Sequence, residues 1–148
     1  MKKLTYEIKI KSSAKRTWDT LIGKETYEKW VKAFTPGSTF KGEWKKGEEV
    51  KFFDPSMGGT VAKLIECEPC KLIEANHIAT LNKDMQMETT GPMTEKWIGT
   101  TEVYKLSGED GFTNLAIEME THEDFEDMFN SSWPKALENI KELAEKTN

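Results

Sequence analysis

The chain has 148 residues and a mass of 17.0 kDa, with 32% charged residues, 10% aromatic residues and a net charge of −5. This length and aromatic content exclude a disordered chain and predict a single domain over residues 1–148. Charges interrupt every apolar stretch well before the roughly 20 residues of a membrane-spanning helix, so we expect no membrane insertion. Lysines and arginines form no run longer than two, so nucleic-acid binding is not expected.

The N-terminal part predicts a strand followed by two short helices. Residues 4–11 alternate apolar and polar side chains with a period of two, as a half-buried strand does. The serines at 12–13 are good N-caps, and apolar residues then recur at helical spacing. Gly23 divides this pattern into two helices, and the Thr35-Pro36-Gly37 turn ends the second.

The middle of the chain predicts six strands separated by glycine or proline turn signals. The links are too short to hold the helices of a parallel sheet, so an antiparallel meander is expected. The predicted strands are Ser38–Trp44, Glu49–Phe53, Thr60–Cys67, Leu72–Ala79, Trp97–Leu106 and Phe112–Thr121.

A long amphipathic helix is predicted to close the chain. Thr121 and Asp124 approximate a capping box at its start, and apolar residues form one broad stripe beyond them. Pro134 removes a backbone donor, so the helix is expected either to kink there or to restart with Ser132 as its cap.

This order of elements resembles the SRPBCC (START/Bet v 1-like) superfamily. Residues 8–30 are similar to the opening of its AHSA1-like family, named for the Hsp90 ATPase activator. Four later segments also fit that family's pattern: Gly59–Val61, Glu68–Leu72, Thr101–Leu106 and Trp133–Ile140. The resemblance implies an α+β helix-grip fold, in which an antiparallel sheet of about six to seven strands wraps around a long C-terminal helix. It also implies a deep apolar pocket for lipids or other hydrophobic ligands.

We therefore expect a hydrophobic small molecule or lipid to bind between the sheet and the C-terminal helix, without a cofactor. Such pockets are mostly apolar, with a few polar groups that orient the ligand. The predicted lining residues are Trp44, Phe52, His77, Trp97, Tyr104, Ile117, Phe129, Trp133 and Leu137. Because no apolar leader is visible at the start, a cytoplasmic protein is expected, as a monomer or weak homodimer.

Two polar residues are weak catalytic candidates. His77 faces the pocket if Ile73 and Ala75 do, and faces solvent in the opposite strand register. Glu102 is either a buried carboxylate beside it or a rim residue paired with a lysine. If both are internal, they form a dyad for an enzyme such as a cyclase, dehydratase or hydrolase. The other alternative is a chaperone-interacting protein, which predicts an exposed apolar patch and a filled interior.

Three further patterns have simple structural interpretations. Cys67 and Cys70 form a lone C-x-x-C in an expected hairpin turn, which favours incidental thiols over a redox or zinc site. The acidic residues between 118 and 127 lack a calcium-loop pattern, so no metal is expected. In the segment 81–96, methionines at 85, 87 and 93 suit a flexible lid over the pocket, and those at 85 and 87 fit one face of an ordinary strand equally well.

Overall fold

The computed structural model describes residues 1–146. Its helices and strands are β1 Lys2–Ile10, α1 Ala14–Ile22, α2 Lys24–Trp30, β2 Thr39–Lys41, β3 Glu49–Asp54, β4 Gly58–Glu68, β5 Leu72–Leu81, β6 Met87–Glu88, α3 Pro92–Trp97, β7 Thr101–Glu109, β8 Phe112–Thr121 and α4 Glu126–Glu145. Short 3-10 turns follow α2 and precede α4.

The strands form one antiparallel sheet in the order β1-β8-β7-β5-β4-β3-β2, with the two-residue β6 paired to the end of β5. Hairpins connect β2 to β3, β3 to β4 and β4 to β5. Strand β1 pairs with β8 and forms the edge of the sheet opposite β2. The long helix α4 packs against β1, α1 and α2. The predicted α+β helix-grip fold and its antiparallel meander are therefore confirmed.

Helix α4 runs from Glu126 to Glu145 without a break at Pro134, so a restart with Ser132 as cap is wrong. A proline inside a helix costs about 3 kcal/mol. Trp133 and Leu137, on either side of it, are both buried in the core. Their burial on both sides of the proline stabilises the continuous helix and offsets that cost.

The predicted capping box at Thr121 is also wrong. Strand β8 stays paired with β1 through Thr121, opposite Lys2, so this residue belongs to the sheet. His122 instead caps the short 3-10 turn Glu123–Phe125, and its Nδ1 accepts a hydrogen bond from the backbone N–H of Asp124 at 3.0 Å. Strand β8 ends at Thr121, as predicted, and α4 begins only at Glu126.

Two predicted strands are shorter in the structure. Gly42 has a φ of +134°, and the strand predicted over 38–44 is limited to β2, which leaves Trp44 in the following loop. Trp97 ends helix α3 instead of starting a strand. Pro92 suits the first position of α3. The Glu95 carboxylate accepts a hydrogen bond from the backbone N–H of Gly91 at 3.0 Å. These residues favour a short helix that ends at Trp97, where the sequence pattern predicted the start of a strand.

Candidate functional site: a cavity between the sheet and the long helix

A cavity of about 750 Å³ lies between the sheet and the first half of α4. Its walls come from strands β3, β4, β5 and β7, from α2 and α3, and from one face of α4. Side chains alternate between the two faces of a strand, so β5 contributes Ile73, Ala75 and His77 to the same wall. Of the two registers considered for this strand, the structure therefore has the one with His77 inside.

Seven of the nine predicted pocket residues line this cavity: Trp44, Phe52, His77, Trp97, Tyr104, Phe129 and Trp133. Ile117 and Leu137 do not, and both are buried in the packed core. The reason is that α4 packs directly against β1, α1 and α2. The cavity therefore lies only beside the first half of α4. Ile117 and Leu137 are core residues and not pocket residues as predicted.

Three polar side chains meet on the cavity wall. His77 Nε2 lies 2.6 Å from Glu102 Oε2, and the Tyr104 hydroxyl donates to Glu102 Oε1 at 3.2 Å. Adjacent strands bring them together, because Ala75 on β5 stands opposite Glu102 on β7. The side chains of His77 and Glu102 are 3% and 17% exposed. Glu102 is thus an internal carboxylate paired with histidine, and the alternative of a rim residue paired with lysine is wrong.

Several polar atoms of the wall are buried without a partner in the part of the chain that the structure describes. They are His77 Nδ1, Trp44 Nε1 and Trp97 Nε1. The Trp97 ring meets the His77 ring edge-on at 5.4 Å and stacks on Phe129 at 5.9 Å. Buried polar atoms normally have hydrogen-bond partners, so three unpaired atoms on residues that line one cavity are unusual for a wall packed for stability alone.

Two tyrosines at the cavity stay neutral well into the alkaline range. Burial raises the pKa of Tyr104 well above its usual value, and the nearby Glu102 charge raises it further. Burial and the same carboxylate also raise the pKa of Tyr27. Both phenols therefore keep their protons at neutral pH, and that of Tyr104 donates to Glu102. The sequence pattern placed Tyr27 on a core helix and did not identify it as a cavity residue.

Methionines surround the mouth of the cavity. Met57, Met93 and Met128 line it and are 67%, 64% and 40% exposed. They come from the β3–β4 turn, from α3 and from α4, so three separate elements form the rim. Of the other methionines in the segment 81–96, Met85 packs against a small cluster under β4 and β5, and Met87 is exposed on β6. Of the three methionines predicted to form a lid, only Met93 lies at the mouth of the cavity.

The two cysteines lie apart from the cavity. Cys67 is near the end of β4 and Cys70 is in the turn to β5, so the predicted hairpin is confirmed. The Cys67 thiol donates to the Trp44 carbonyl at 3.2 Å, and burial raises its pKa, which disfavours the reactive thiolate. Within residues 1–146, no three His, Cys, Asp or Glu side chains are grouped as metal ligands would be. None of the helices in this range is long and apolar enough to cross a membrane.

No protein-family model and no curated protein matches the chain. The chain does match solved structures. The Aha1 dimer from Colwellia psychrerythraea is 24% identical with a TM-score of 0.73, and the match covers 99% of this chain and 98% of that one. A protein from Mesorhizobium loti is 13% identical with a TM-score of 0.77, covering 99% of both chains. One from Chromobacterium violaceum is 12% identical with a TM-score of 0.71, covering 99% and 100%. At these identities the likeness establishes the fold alone: the chain has an Aha1-like helix-grip fold.

Proposed function

We propose that this protein binds a hydrophobic small molecule or lipid-like ligand in the cavity beneath α4, and that it is a cytoplasmic, AHSA1-like member of the SRPBCC superfamily. The single observation that supports this most is the cavity itself. Its volume of about 750 Å³ suits a small organic ligand. A domain that served only as a scaffold would gain stability by filling this space with side chains.

The composition of the wall supports a hydrophobic ligand. Phe52, Trp97 and Trp133 contribute large aromatic surfaces. The His77–Glu102–Tyr104 cluster adds a carboxylate in contact with a histidine and a phenol to this wall. A largely aromatic chamber with one polar cluster orients an amphiphilic molecule, its polar end toward the cluster and its apolar body against the rings.

Filling the cavity is expected to abolish ligand uptake. Ala75 lies in the wall on β5 and is 4% exposed, so Ala75→Phe projects a ring into the chamber. We expect the neutral dye Nile red to bind the unmodified protein, and to bind this variant about tenfold more weakly or worse, a loss of about 1.4 kcal/mol or more. Fluorescence titration measures both affinities.

Ala116→Phe is the matched control, because Ala116 lies on β8 outside the cavity wall. Its Nile red affinity should equal that of the unmodified protein. Native mass spectrometry of protein purified without denaturant adds an independent test, in which a co-purified hydrophobic molecule identifies the ligand. Equal dye binding by both phenylalanine variants would contradict the proposal.

An enzyme is the second candidate, favoured by the 2.6 Å contact between His77 Nε2 and Glu102 Oε2. A carboxylate that orients an imidazole is a common arrangement for general acid–base chemistry. The co-purified molecule, incubated with the protein, would then be converted into a product, which a changed mass shows for loss or addition of water and a changed chromatographic retention shows for a cyclisation. The variant His77→Asn should stop this change while the molecule still binds. A molecule that stays unaltered would exclude turnover of that substrate.

A chaperone partner and a homodimer are subsidiary proposals. They derive support only from the likeness to the Aha1 dimer. A chaperone-binding protein does not need an internal chamber, and the exposed Met57, Met93 and Met128 surround the cavity mouth, where a ligand would enter. Light scattering on the purified protein over a range of concentrations would distinguish a monomer from a weak homodimer.

A further inference from the structure

The charged residues that line the cavity are all acidic. They are Asp54, Glu88 and Glu102, and neither lysine nor arginine lines it. Asp54 stays ionised, because hydrogen bonds from the Ser56 hydroxyl and backbone N–H lower its pKa. Glu88 is exposed on β6. The chamber therefore has negative groups at its edge and one in its interior.

Glu102 keeps spare capacity to accept hydrogen bonds. A carboxylate offers about four lone-pair positions. In this protein one oxygen contacts His77 Nε2 and the other accepts from the Tyr104 hydroxyl. The side chain lines the cavity and is 17% exposed, so the remaining positions are accessible to a ligand donor.

The hydrogen-bond partners of His77 favour an uncharged imidazole, which gives Glu102 no full positive counter-charge. A protonated imidazole carries an N–H on both nitrogens, and Nδ1 is buried with no acceptor among the described residues. A buried donor without an acceptor is costly. In the neutral tautomer the Nε2–H donates to Glu102 and the unpaired Nδ1 is an uncharged acceptor, which costs less to bury than the N–H of a charged ring.

We infer that the ligand is a hydrophobic amine, whose ammonium group donates to Glu102 while its apolar body lies against the aromatic wall. This inference rests on the proposed binding function. Aromatic faces such as those of Phe52 and Trp97 also attract a cation that has left water. A fatty acid or another anion would place its charge beside Glu102 with no lysine or arginine on the wall to balance it.

Three probes of one shape test this inference: 2-naphthylethylamine, 2-naphthylethanol and 2-naphthylacetate, titrated by calorimetry at neutral pH. A hydrogen bond between charged partners favours the amine over the alcohol by about tenfold or more. The acetate should bind weakest. In Glu102→Gln the amine should lose its advantage over the alcohol, because the amide keeps an oxygen acceptor but carries no charge.

Glu120→Gln is the charge-matched control, because Glu120 is exposed on β8 and does not line the cavity. It should keep the amine preference. Equal binding of the three probes, tightest binding of the acetate, or an amine preference that survives Glu102→Gln would each overturn the inference. So would Nile red binding without binding of any naphthyl probe. Each of these results is compatible with the proposed binding function. If Nile red also failed to bind the unmodified protein, both the amine inference and the binding function would be rejected. The rank order in the unmodified protein is informative even if Glu102→Gln does not fold.

Discussion

Trp133→Ala is expected to lower the free energy of unfolding by about 3–5 kcal/mol, the range for a fully buried tryptophan. Trp133 is 1% exposed, and its ring lies 5.1 Å from that of Phe34 and 5.8 Å from that of Tyr104. Its Nε1 donates to the sulfur of Met119 at 3.0 Å. Truncation removes these contacts at the place where α4, the sheet and the first helices meet. Urea denaturation followed by circular dichroism measures the loss.

The control for this prediction is Trp44→Ala. Trp44 also lines the cavity, but it is only partly buried in the loop after β2. Its removal deletes less buried surface than the removal of Trp133, so about half the loss or less is expected. If both variants lost the same stability, Trp133 would not have the central packing role assigned to it.

Raising the pH above about 10 is expected to unfold the protein steeply. The pKa of Tyr27 and that of Tyr104 are both raised in the folded state, by burial first and then by Glu102. Above the ordinary tyrosine pKa the unfolded chain releases protons that the folded chain retains. The stability present below that pH is therefore lost as the pH rises, by up to about 1.4 kcal/mol per pH unit for each tyrosine. Tyrosinate absorbance and circular dichroism should change together.

Phenylalanine variants test the origin of this pH dependence. Tyr27→Phe and Tyr104→Phe should each flatten the plot of unfolding free energy against pH. Tyr6→Phe is the comparison, because the Tyr6 side chain is only half-buried and its hydroxyl donates to Asn130. It should change the slope less. Normal ionisation of all three tyrosines in the folded protein would contradict the assigned role of burial.

Local sequence patterns predicted the fold well because they depend on short-range physics. Alternation defined β5 and the strand of residues 4–11, and apolar spacing defined the stripe of α4. The errors lie where longer-range forces act. Pairing with Lys2 of β1 keeps Thr121 inside β8, where a helix cap was expected, and the tertiary burial of Trp133 and Leu137 kept α4 intact through Pro134.

The site was predictable only in part. Strand periodicity placed Glu102 and Tyr104 on one face, but it could not give the register of β5 against β7, which brings His77 to Glu102. It also could not show at which end the sheet and α4 separate, so Ile117 and Leu137 were assigned to the wall by mistake. The pairing of two strands and the tilt of a helix are set by the whole chain.

The pairing of β1 with β8 also has a consequence for how the protein is made. Strand β1 leaves the ribosome before the other strands of the sheet, and its partner β8 leaves after all of them. The hairpins of β2 to β5 need only nearby residues and can form early, whereas β1 must wait until β8 has been synthesised. During that interval its apolar side chains Leu4, Ile8 and Ile10 are unprotected. The lysines interspersed among them keep the waiting strand charged and oppose its association with other nascent chains.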